Sequence, residues 1–188
     1  MVDSVSVMSI VSPQAGIATA AILFVSACIV SDVRTLRIPN ALTGPAILIG
    51  LALNTACFGP SGALASLAGL GLAIALMLTP FALGGIGGGD VKMMGAVGAF
   101  LGPALIMKSL LLGFILGGAF AIAHLIRISR LREKLAITWL MFHNAVVSRS
   151  LEPLQAPRDS PNAVALPYSV PLGIGTASVI AISVLAQR

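Results

Sequence analysis

The chain has 188 residues, 57% of them hydrophobic and only 9% charged, with a mean hydropathy of +1.04. A soluble domain carries about 25% charged residues, so this composition excludes a soluble globular enzyme, a disordered tail and a coiled coil. The net charge of +5 does not point to nucleic acid. Its basic residues lie between apolar runs rather than on one aromatic-interleaved face, and they read as topology signals.

Taken in chain order, the sequence predicts an all-α integral membrane protein of about six transmembrane helices in a single domain spanning residues 1–188. Runs of about 18 apolar residues or more are the signature of spanning helices. The segments run over Gln14–Ser31, Ala41–Phe58, Gly62–Leu83, Met93–Leu105, Met107–Ile126 and Tyr168–Ala186. No Lys or Arg precedes Arg34, so the basic region of a cleaved signal peptide is missing and the first segment is expected to stay as a helix. The fourth segment is short and holds Gly95, Gly98 and Gly102, which suits a tilted or partly re-entrant course.

Positive-inside reasoning sets the orientation. Arg34, Arg37, Lys92, Arg127, Arg130, Arg132, Lys134, Arg149 and Arg158 fall on one side, nine of the eleven basic residues, against Lys108 and Arg188 on the other. The N-terminus is therefore expected outside. Between the fifth and sixth segments, Ile128, Leu131, Leu135, Trp139, Phe142 and Val146 recur at spacings of three and four, opposite Arg130, Lys134 and Asn144. This predicts a basic amphipathic helix lying on the inner leaflet, in contact with the lipid bilayer. A short seventh span over Ile137–Val147 is the alternative. The segment Glu152–Pro167, with four prolines, predicts an irregular loop.

Six acids occur, and four of them (Asp3, Glu133, Glu152 and Asp159) lie in the terminal tail or the polar connection. Asp32 and Asp90 abut apolar spans instead, where an ionisable group costs several kcal/mol and is a functional candidate by default. Two crossings separate them, so both face the same side. Two carboxylates in one semi-buried site share a proton, giving one acid and one base. That is aspartic protease chemistry; the plainer reading pairs each Asp with Arg34, Arg37 or Lys92. The run Gly87-Gly88-Gly89 before Asp90 allows an unwound backbone and close approach of an extended peptide. It is not a nucleotide loop, because no Gly-Lys-Ser/Thr follows.

The motifs Asp32-Val33-Arg34-Thr35-Leu36-Arg37-Ile38-Pro39-Asn40 and Gly87-Gly88-Gly89-Asp90-Val91-Lys92-Met93-Met94 resemble the two signatures of type IV prepilin peptidases, intramembrane aspartic peptidases of the GxGD kind. Leu166-Pro167-Tyr168-Ser169-Val170-Pro171-Leu172-Gly173 is similar to the family's last span. The resemblance implies Asp32 and Asp90 as the catalytic pair. It implies Arg34, Arg37, Pro39, Asn40, Gly87, Gly88, Gly89 and Lys92 as motif residues that position the substrate. It also implies cleavage of a basic leader from prepilin or pseudopilin precursors at the cytoplasmic face of the bacterial inner membrane, beside the pilus or secretion machinery. No cofactor and no metal are implied. The connection after the first segment is only about ten residues and holds no CxxC pair, so the methyltransferase-type domain and N-methylation are not expected. The compact form resembles the peptidases of Flp, or tight-adherence, pili.

Other constellations carry less. Gly59-Pro60-Ser61-Gly62 matches the GxSG of rhomboid proteases, but His124 is expected about 30 Å away, across the bilayer, so a tight turn is the better reading. Pro103-Ala104-Leu105 reads as a helix end, and Gly113 to Gly117 as a packing groove within the bundle. His124 and His143, without clustered carboxylates or thiols, make no metal site. Cys28 and Cys57 lie in apolar runs and form no CxxC. Two other functions fit the composition: a small proton- or cation-coupled transporter, which predicts Asp90-dependent transport, and a non-catalytic pilus or secretion assembly factor, in which Asp→Asn changes are silent.

Overall fold

The computed structural model describes residues 13–127 and 168–186, together with residues 136, 139, 140, 143 and 144. Among the described residues every regular element is an α-helix: α1 (Pro13–Thr35), α2 (Asn40–Ala82), α3 (Gly88–Arg127) and α4 (Ser169–Leu185). Three stretches are long and apolar enough to cross a membrane: Gln14–Thr35, Asn40–Ala82 and Gly88–Arg127. The amphipathic helix expected over 128–150 lies outside the described residues except at five positions, all helical and exposed. The loop expected over 152–167 lies outside them entirely.

Helices α2 and α3 are each interrupted once, at Gly59 (φ 63°, ψ −148°) and Gly102 (φ 71°, ψ 178°). Both interruptions are Gly-Pro steps. Glycine takes a backbone conformation that side chains forbid, and the proline starts the next helix where its missing N–H costs nothing. The boundary between the fourth and fifth segments thus falls at Gly102, not between Leu105 and Met107. Segment four also begins earlier than expected, at Gly88 rather than Met93.

The chain reverses at both breaks. A side chain on Gly62 would strike the carbonyl of Asn54, although eight residues of continuous helix would separate the two by about 12 Å. Gly69 meets Gly98, and Gly95 meets Leu70 and Ile74, so the second half of α2 runs antiparallel to the first half of α3. Phe24 packs on Phe100 at 6.1 Å between ring centroids, and Gly173 lies against Val25 and Ile29. With Gly113 against Leu172 and Gly117 against Tyr168 and Pro171, these contacts define six rods of alternating direction among the described residues.

Small residues set the spacing, as lipid-facing bundles require, since apolar burial drives no helix association in hydrocarbon. The first half of α3 is the central rod: every residue from Met93 to Phe100 is buried. The broken helix leaves the Ala99 carbonyl without its usual donor, because Pro103 has no N–H. Asn54 donates to Ala99 O and Phe100 O, both at 3.0 Å, and Ser66 donates to Ala99 O at 2.7 Å. Two side chains of α2 thereby satisfy the backbone exposed at the α3 break.

Candidate active site

Asp32 occupies the last turn of α1, and Asp90 the first turn of α3. Because those rods run antiparallel, both carboxylates come to the same end of the bundle. Each is buried, at 8% and 7% exposure. A cavity of about 440 Å³ opens beside them, lined by Asp32, Leu36, Arg37, Ile38, Pro39, Asn40, Gly87, Gly88, Gly89, Asp90 and Lys92.

The turn from α1 into α2 brings the first motif round this cavity in four residues, Leu36 to Pro39, rather than the ten or so expected. Leu36 adopts φ 51°, a left-handed conformation that costs a non-glycine residue about 1–2 kcal/mol. The Ser31 hydroxyl donates to the Arg37 carbonyl at 2.9 Å and closes the turn, while the Thr35 hydroxyl donates back to Ser31 O at 2.8 Å. Ile38 then tucks in against Gly89, where a side chain would press on the Ile38 Cβ at 3.3 Å. Pro39, extended at ψ 144°, leads into α2.

Glycines 88 and 89 are helical, so the unwound backbone expected across Gly87-Gly88-Gly89 is corrected. The left-handed residue of the glycine run is Gly84, at φ 76°. Gly87 stands at the N-cap of α3 and donates its N–H to Asp90 Oδ2 at 3.2 Å, while the Asp90 N–H returns to Gly87 O, also at 3.2 Å. Asp90 therefore caps its own helix in the manner of the third residue of a capping box, with its charge at the favourable end of the helix dipole. Its second oxygen, Oδ1, is buried and has no partner among the described residues.

Asp32 has the opposite situation. A carboxylate in a last turn faces the negative end of the dipole, so local structure does not hold it. Its Oδ2 instead accepts a hydrogen bond from the Ser169 hydroxyl of α4, at 2.6 Å. No ion pair joins either carboxylate to Arg34, Arg37 or Lys92 among the described residues. Lys92 donates to Asn40 Oδ1 at 2.8 Å and ties the start of α3 to the start of α2.

Of the motif residues singled out in the sequence, all but Arg34 line the cavity. Arg34 is exposed on the last turn of α1 and lies outside that lining. Sequence reasoning named Ser169 only as part of a matched segment. The signal available was a hydroxyl at the start of an apolar helix, between Pro167 and Pro171. Among the decoys, Ser61 donates to Phe58 O at 2.7 Å and belongs to the turn at Gly59. Gly113 and Gly117 pack against α4, as a groove within the bundle requires.

Two carboxylates from separate helices thus face one cavity at the end of an apolar, all-helical bundle with helices long enough to cross a membrane. The model of the type IV leader peptidase family matches residues 19–122, more than half of the chain, and the chain belongs to that family. It is thus a peptidase of the membrane, of a family that acts on prepilins. The match includes both aspartates and ends before α4. Comparison with curated proteins and with solved structures returned no match.

Proposed function

We propose that this chain is an aspartic endopeptidase that removes the basic leader of Flp-like prepilins at the cytoplasmic face of the bacterial inner membrane. The observation that carries the reading is the shared cavity of Asp32 and Asp90, with the Oδ1 of Asp90, which has no partner among the described residues, beside it. A buried polar atom left without a partner calls for one, and a water held between the two carboxylates supplies it.

In the proposed reaction the pair shares one proton and titrates as a unit. The ionised carboxylate takes a proton from the water, whose oxygen attacks the scissile carbonyl. The protonated carboxyl hydrogen-bonds the carbonyl oxygen as charge develops there. The C–N bond then breaks, and the amine leaves with the proton abstracted from water. The scissile carbonyl must be presented in extended chain, because a helical carbonyl is already hydrogen-bonded. Arg37, Pro39, Asn40, Lys92 and the glycines 87–89 form the wall against which that segment lies.

The alternating rods support six crossings. A straight helix of 43 residues would measure about 64 Å, roughly twice the ~30 Å hydrocarbon core, and the reversal at Gly59 turns it into two passes. The four-residue turn between α1 and α2 gives no place there for a CxxC domain, which supports the compact type acting without N-methylation. The test is leader removal from a candidate prepilin in membranes containing wild type, Asp32→Asn or Asp90→Asn at matched expression. Cleavage by wild type and none by either variant is expected. Wild-type-like cleavage by both variants would overturn the dyad.

A further inference from the structure

We infer that Ser169 is a positioning residue for Asp32, and that α4 is thereby part of the active site; this rests on the aspartic dyad proposed above. Ser169 is fully buried, and its Oγ lies 2.6 Å from Asp32 Oδ2 across 137 residues of sequence. The contact is charge-assisted and short, the strong class of hydrogen bond. Nothing on α1 itself could replace it, since backbone N–H groups in a helix's last turn are already engaged in the helix.

The geometry assigns the two oxygens of Asp32 different tasks. Oδ2 is occupied by the serine, which fixes the carboxylate plane and leaves Oδ1 for the water and the partner carboxylate. A hydroxyl both donates and accepts, so the serine can stay bonded whether Asp32 is ionised or protonated. With the shared proton carried on the Oδ1 side, the bond from Ser169 to Oδ2 holds Asp32 in place in either protonation state.

Packing around the contact is built to keep it. One turn further along, Gly173 is pressed against Ile29 and Val25, at 2.6 and 2.8 Å from where its Cβ would stand. On the other side of α4, Gly113 admits Leu172. The first turn of α4 is thus clamped between α1 and α3.

The experiment compares purified wild type with Ser169→Ala, Ser169→Cys and Ser169→Thr in detergent micelles, following leader removal from a prepilin and thermal unfolding in parallel. Ser169→Ala should lower kcat by about 10- to 100-fold, the range for a hydrogen bond to a charged group, with KM within about twofold of wild type. Ser169→Cys, similar in size but a weak donor, should fall between alanine and wild type, and Ser169→Thr should recover most of the rate. Equal kcat in alanine and wild type, or a loss confined to KM, would overturn the assignment. So would equal losses in alanine, cysteine and threonine variants that unfold like wild type. Asp32→Asn is run beside them: if it cleaves normally, the dyad itself has failed, a result distinguishable from failure of Ser169 alone.

Discussion

Asp90 and Asp32 face one cavity, but they are held there by opposite means. Asp90 is fixed within three residues of sequence by the N-cap of its own helix, with the dipole in its favour. Asp32 sits at the wrong end of a helix dipole and is fixed by a hydroxyl 137 residues away. The placement of the two carboxylates is therefore half local and half tertiary. The local half is set once α3 forms; the tertiary half exists only when α4 has docked.

The scaffold beneath both halves should be the easiest part to break. Gly98→Ala and Gly69→Ala each drive a methyl into facing backbone, which no rotamer change relieves. We expect destabilisation at or beyond the upper end of the ~1–3 kcal/mol for overpacking, seen as loss of the monodisperse protein on size exclusion. Gly71→Ala, with open space at that position, is the matched control and should behave as wild type. Equal behaviour of the three variants would remove the case for close α2–α3 contact.

Asn54→Leu comes next. It removes the side-chain donor to Phe100 O and one of the two side-chain donors to Ala99 O at the α3 break, where a buried carbonyl left unsatisfied costs about 1–3 kcal/mol. A lowered midpoint of thermal unfolding is expected, and an unchanged one would mean that water or Ser66 alone suffices. The local half is probed by Asp90→Ala against Asp90→Asn. Both should be inactive, but alanine should unfold earlier by about 0.5–2 kcal/mol, the worth of a cap, while asparagine keeps an acceptor for Gly87. Identical unfolding curves would mean that the cap contributes nothing. The smallest effect is expected of Lys92→Met, which severs a contact between exposed groups. Stability should not change measurably, and KM for leader cleavage should rise a few-fold if this wall guides the substrate. An unchanged KM would remove Lys92 from that role.

Much of this was legible in the sequence for identifiable reasons. The apolar segments showed because hydrocarbon tolerates few charges, and Asp32 and Asp90 stood out against them. Their placement at one end followed from counting crossings. Gly59-Pro60 and Gly102-Pro103 mark the breaks, yet hydropathy places the second between Leu105 and Met107, because the run from Met93 to Ile126 shows no change at residue 102. The lack of side chains at 87–89 suits an unwound backbone, yet Gly88 and Gly89 are helical and Asp90 caps the helix they open. Ser169, Asn54 and Ser66 gave little signal, since a single hydroxyl or amide in an apolar run states no partner.

The apolar helices, the Gly-Pro steps and the two acids can be read from the chain because each depends on local chemistry: apolar length, a backbone that side chains forbid and the cost of charge in lipid. What touches what is settled by docking. Close approach at Gly69, Gly98 and Gly173 brings rods from distant parts of the chain together, and that approach alone delivers a serine from α4 to the carboxylate of α1. Hydrogen bonds act over about 3 Å, a distance that no pattern of residues can specify until the helices have docked.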